Sequence, residues 1–189
     1  MVHALRALML LACAAALGAQ GAAPTQPDGL EADWEIAPVL REIGAHASRL
    51  LPALDKIDVK SWVEKGASDT YAAQLQSSIE QAKALAAGAK ALASNPSQLA
   101  ASIELFLRIQ ALESMLTSLE QGARRYQGPA DAQALARLGA ENGANRERFQ
   151  RYIVNLAEAR EREFKAMDRE AQRCRAVLTQ APPKAGRKK

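Results

Sequence analysis

LGAENGANRE, residues 138–147, lies inside a proline-free run from Ala130 to Leu178, and the fold turns on how it is read. Leu135 precedes it, Leu138 opens it, and Phe149, Tyr152, Ile153 and Leu156 follow, all on one stripe. Steps of three and four residues between apolar positions mark a one-sided α-helix. Gly139, Asn142 and Gly143 weaken that helix at its middle, since glycine costs about 1 kcal/mol relative to alanine in a helix interior. The stripe nevertheless keeps its phase across the glycines. The sequence therefore predicts one continuous helix from Ala130 to Leu178.

Upstream, Gly128-Pro129 makes a turn, and the segment from Leu99 towards Tyr126 carries Leu99, Ile103, Phe106, Ile109, Leu112, Leu116 and Leu119 at helical spacing. It is the most apolar segment and is expected at the centre of the core. Asn95-Pro96 divides it from a helix opened by Ser68 or Asp69, whose face is Tyr71, Leu75, Ile79, Ala82, Leu85, Ala89 and Leu92. Before that, DVKSWVEKG, from Asp58 to Gly66, reads as a short capped helical turn, with Trp62 plugging one end of the core. A first helix starts at Asp33, read as its cap, and runs through Ile36, Leu40, Ile43, Ala47, Leu50 and Leu54. Pro38 falls in its first turn, where a missing N–H is harmless, and Pro52 should kink or end it.

Composition agrees with this pattern. Aromatic residues make up only 4% of the 189 residues, whereas the 48% apolar content is mostly alanine and leucine. Val, Ile, Thr and Tyr, which favour strands, are scarce, and residues that lose little freedom on entering a helix dominate. The class is all-α. Four long helices with short connections imply an antiparallel up-down four-helix bundle. Its last helix is too long for the others, so about 18 residues, roughly 27 Å at 1.5 Å per residue, should overhang the bundle. No internal repeat of a solenoid is evident.

The formal charge is +4, but five of the 25 basic residues (Arg6, Lys184, Arg187, Lys188 and Lys189) lie at the two ends. The remaining 20 face 21 acidic residues, so the body is near neutral and no nucleic-acid partner is expected. Residues 179–189 read as a disordered basic tail.

The amino terminus reads as an export signal over residues 1–21. Arg6 closes a short basic start, Ala7 to Leu17 is an apolar run of about 11 residues, and Ala19-Gln20-Gly21 is a small-x-small cleavage site. The run falls short of the roughly 20 residues a bilayer span needs. Residues 22–32, with two prolines and a glycine, form a linker. Leu10-Leu11-Ala12-Cys13 also resembles a bacterial lipobox, which would make Cys13 a lipidation site. The apolar residues after Cys13 speak against this, because a lipoprotein turns polar there. The expected location is therefore periplasmic or extracellular, with lipid anchoring to the cell envelope as the alternative.

Chemistry has few residues to work with. Of two histidines, His3 lies in the leader and His46 in the body, so a di-metal carboxylate bundle or a Cys/His zinc site lacks ligands. Cys174 is followed by Arg175, Ala176 and Val177, which excludes a c-type haem motif. Nucleophile elbows and phosphate loops are missing as well. His46 is expected half-buried and paired with Glu42. No catalytic, metal or cofactor residue is assigned, and the chain is expected not to be an enzyme.

The overhang is more informative. Phe164, Met167, Ala171, Cys174 and Leu178 follow the alternating three-four spacing of a coiled-coil seam. Glu158–Arg162 and Glu161–Lys165 flank it at i,i+4, each worth about 0.2–0.5 kcal/mol. This stripe either folds back on Leu30 and Trp34 or binds another chain. Cys174, alone once a leader is removed, is expected to be buried as a small apolar side chain. The function expected is a structural or interaction protein, adaptor- or chaperone-like, binding a protein partner or a second copy through its C-terminal amphipathic helix. The alternative is a peripheral envelope protein held by a lipidated Cys13 or by the basic tail; membrane association is not favoured.

Overall fold

The computed structural model describes residues 30–179, and every regular element within them is helical. These are α1 (Asp33–Leu54), α2 (Val59–Glu64), α3 (Thr70–Ala93), α4 (Leu99–Tyr126), α5 (Pro129–Ala140) and α6 (Gly143–Thr179). The signal peptide, Cys13, most of the linker and all of the basic tail except Thr179 lie outside the described residues.

The first helix follows its sequence stripe closely. Ile36, Leu40, Ile43, Ala47, Leu50 and Leu54 are all buried, and α1 stops two residues after Pro52. Its cap differs from expectation: Ala32 takes the N-cap position and Asp33 is the first helical residue. A carboxylate still satisfies the end, because Glu35 accepts from the Ala32 N–H at 3.4 Å. α1 is also more completely buried than α4, which was expected at the centre. Both helices pack on α3, α5 and α6, and the most extensive of these contacts is that of α1 with α3. In α4, Leu105 turns inward and Ile103 is left 42% exposed.

Small residues bring α1 and α3 together. A Cβ on Gly44 would sit 3.3 Å from the Ala86 carbonyl oxygen and 3.3 Å from the Ala89 Cβ. The alanine-rich face of α3 thus serves close approach, which a chain of larger side chains would prevent. Polar pairs fix the register of the next interfaces. Arg108 of α4 donates to Gln81 of α3 at 2.7 Å, and Ser118 donates to Gln74 at 3.1 Å. Arg146 of α6 meets Glu113 of α4 at 2.7 Å, Arg160 donates to the Ser97 carbonyl at 3.1 Å, and Arg148 pairs with Glu31 ahead of α1.

The continuous helix expected from Ala130 to Leu178 is broken at Glu141-Asn142, giving α5 and α6. In an unbroken helix the Asn142 N–H would donate to the Leu138 carbonyl. Here that carbonyl accepts instead from the Glu141 N–H at 3.4 Å and from His46 Nε2 of α1 at 2.7 Å. The Asn142 carbonyl then accepts from the Arg146 N–H at 2.9 Å and starts α6. Gly139 and Gly143 on either side make leaving the helix cheap, and the tertiary contact from His46 adds a second donor to the carbonyl at the break. This also corrects the expected His46–Glu42 pair. His46 is buried, while Glu42 accepts from Arg49 at 2.8 Å.

Trp62 of α2 packs near the C-terminal end of α4 and is completely buried. Its ring meets Tyr71 edge-on at 5.4 Å between centroids and lies 6.2 Å from Tyr126. The Trp62 indole N–H donates to Gln127 Oε1 at 3.1 Å, so its polar edge is satisfied. Gly122 is required there: a Cβ would sit 2.6 Å from Trp62 Cζ3.

Candidate functional site

α6 has two parts. Its first four turns bury Phe149, Tyr152 and Leu156 against the body. The same face continues through Arg160, Phe164, Met167, Ala171, Cys174 and Leu178, with the spacing unbroken. From Arg160 onward every residue of α6 is exposed. Phe164 is 67% exposed, Met167 64% and Leu178 84%. The stripe read from the sequence is therefore present, helical and uncovered in the isolated chain.

Two expectations fail at this point. The stripe does not fold back on Leu30 and Trp34, and Trp34 is itself 75% exposed. Cys174 is not buried but exposed. Both follow from length, because α6 outruns the body, and a helix 37 residues long without an internal proline has no sharp kink to turn its end back onto the core.

Flanking charges hold the projecting part helical. Glu158–Arg162 (3.7 Å) and Glu161–Lys165 (3.6 Å) form as the spacing predicts, joined by Arg160–Glu163 (2.8 Å) and Glu170–Arg173 (3.5 Å). All are solvent-exposed, so each adds little by itself; together they favour a helix that no tertiary contact supports.

Where the projection leaves the body, Tyr152 is the notable group. Its hydroxyl is buried without a hydrogen-bond partner. Burial, reinforced by the carboxylates of Asp33 and Glu31, pushes it up to about 12, while Arg160 pulls the other way. The acidic start of α1 and Arg160 of α6 thus gather around one ring. Sequence spacing alone placed Tyr152 on the core stripe, but nothing in it announced this charged surround.

Other candidates are weaker. A cleft of about 400 Å³ lies between α4 and the α5–α6 elbow, lined by Glu113, Glu120, Leu135, Gly139, Gly143 and Arg146. Its charges are already matched, Glu113 with Arg146 and Glu120 with Arg124. Among the described residues, no group of three or more His, Cys, Asp or Glu side chains is arranged to hold a metal ion. None of the described helices is long and apolar enough to cross a membrane. No protein family matches the chain, and neither does any curated protein or solved structure.

Proposed function

We propose that this is an exported, non-enzymatic interaction protein that binds another chain through the apolar stripe Phe164, Met167, Ala171, Cys174 and Leu178. The observation carrying this reading is the continuity of one helix face from a fully buried half to a fully exposed half. An exposed row of large apolar side chains on a preformed helix is the arrangement by which amphipathic helices recognise apolar grooves and other helices. Export rests on the leader sequence.

The body behind this helix is an up-down bundle in our reading, with α5 and α6 together standing as its fourth member. Supporting it, contacts between successive helices pair rising with falling numbers. Gln74 meets Ser118 while Gln81 meets Arg108, and Glu113 meets Arg146 while Ser97 meets Arg160.

The test is binding in extracts of the native envelope by the full chain and by Met167→Glu. The expected result is a partner held by the first and lost by the second, with melting temperature and helicity unchanged. A set of bound proteins identical for both chains would overturn the reading.

A further inference from the structure

Asparagine occurs at positions 95, 142, 145 and 155, and only Asn142 is followed by glycine. Asn95, Asn145 and Asn155 precede Pro96, Arg146 and Leu156. The pair Asn142-Gly143 falls at the break, with Asn142 outside both helices and Gly143 opening α6. An asparagine before glycine is the pairing in which a chain most readily attacks its own side chain, because no Cβ on the next residue hinders ring closure.

The fold supplies what that attack needs. The first bond of α6 runs from the Arg146 N–H to the Asn142 carbonyl, so the Gly143 nitrogen is among the leading N–H groups that this helix leaves unpaired. Asn142 Oδ1 is buried and accepts no hydrogen bond, so none is lost when Cγ is attacked. Gly143 also lines the cleft of about 400 Å³ beside α4, which gives solvent a way in and a leaving group a way out. Asn142 itself is only 2% exposed, but the attacking atom belongs to the next residue and no reagent has to reach it from solvent.

Packing does not call for a glycine at this position. Gly44, Gly88 and Gly122 are pressed by neighbours, and Gly66 and Gly128 take positive φ. A Cβ on Gly143 would meet nothing within 4 Å. We propose that Asn142-Gly143 is a site of self-modification, at which the folded chain converts Asn142 to aspartate and isoaspartate.

In the first step the Gly143 nitrogen bonds to Asn142 Cγ and the Cγ–Nδ2 bond breaks. The proton lost by Gly143 reaches the departing nitrogen through solvent, and ammonia leaves. Water from the cleft then opens the succinimide ring. Cleavage between Cγ and the ring nitrogen restores the ordinary backbone and leaves aspartate; cleavage at the backbone carbonyl leaves isoaspartate. One water is consumed for each ammonia released, and nothing is oxidised or reduced. Both products carry a carboxylate at the amino end of α6, where the unpaired N–H groups favour negative charge. Isoaspartate also lengthens the backbone by one methylene at the break, which should loosen the first turn of α6.

The test holds the full chain folded in mildly alkaline buffer made with heavy-oxygen water and reads every asparagine by peptide mass spectrometry. Asn142 should exchange its amide for an acid carrying heavy oxygen, divided between aspartate and isoaspartate, while Asn95, Asn145 and Asn155 stay intact. Gly143→Ala should keep the parent's melting temperature and lose most of the conversion, since the added methyl hinders ring closure and touches nothing else. The same chain in denaturant gives the rate without structure. Retention of Asn142 in the folded chain while the denatured chain converts would overturn the proposal. So would conversion in Gly143→Ala as fast as in the parent, or aspartate without isoaspartate, which marks direct hydrolysis of the amide.

Discussion

Gly143 to Leu156 and Arg160 to Leu178 are two stretches of one helix with the same apolar spacing and opposite surroundings. In the first, Phe149, Tyr152 and Leu156 are sealed by neighbouring helices; in the second, Phe164, Met167 and Leu178 stand in solvent. An amphipathic pattern fixes which face of a helix is apolar, but it says nothing about what lies opposite. The buried half is held by packing. The exposed half is held by local propensity and by ion pairs such as Glu161–Lys165, which would form in an isolated helix too.

The sharpest way to break this comparison is to truncate matching aromatics. Phe149→Ala should destabilise the fold by about 3–5 kcal/mol, whereas Phe164→Ala should stay within about 0.5 kcal/mol in dilute protein. Denaturant titration measures both. Equal losses would mean that the projecting half is part of the cooperative core.

Alkaline stability is the next test. An unfolded tyrosine ionises near pH 10, and burial holds Tyr152 at about 12. Above pH 10 the unfolded chain therefore loses a proton that the folded chain retains, so the stability present below pH 10 falls away by pH 12. About 2–3 kcal/mol should be lost over that window in the parent beyond what Tyr152→Phe loses. At neutral pH, Tyr152→Phe should be neutral or slightly stabilising, because the buried hydroxyl it removes has no partner.

Tolerance to added volume should also divide the molecule. Gly122→Ala forces a methyl against Trp62 and Tyr71 and should cost about 1–3 kcal/mol. Ala171→Leu adds far more volume to the projecting half and should leave the melting temperature of the monomer unchanged. The smallest effect expected is that of Glu161→Gln, about 0.2–0.5 kcal/mol of local helicity, read as faster amide exchange confined to the projection.

Much of the body was legible beforehand. The six apolar positions of α1 are all buried, and Trp62 is fully enclosed, in keeping with its expected place as a plug of the core. The stripe from Phe164 to Leu178 was legible as a pattern, as were its flanking pairs. The break at Glu141-Asn142 was not. In-phase apolar residues on both sides look the same whether or not the helix between them continues. One of the two donors to the carbonyl at the break is His46, 92 residues away in sequence. Cys174 was misread for a related reason, because burial of a small apolar residue presupposes a neighbour, and periodicity does not count neighbours.

The sequence by itself determined the helical class, the faces of the helices, the turns at Pro96 and Pro129 and the excess length of the last segment. These depend on propensity, spacing and steric rules acting within a few residues. Only the tertiary structure decided that His46 reaches the Leu138 carbonyl, that α1 rather than α4 is most enclosed, and that the apolar stripe from Phe164 to Leu178 has nothing over it in the single chain. Each of those depends on which surfaces meet, and that is fixed by close packing among distant segments.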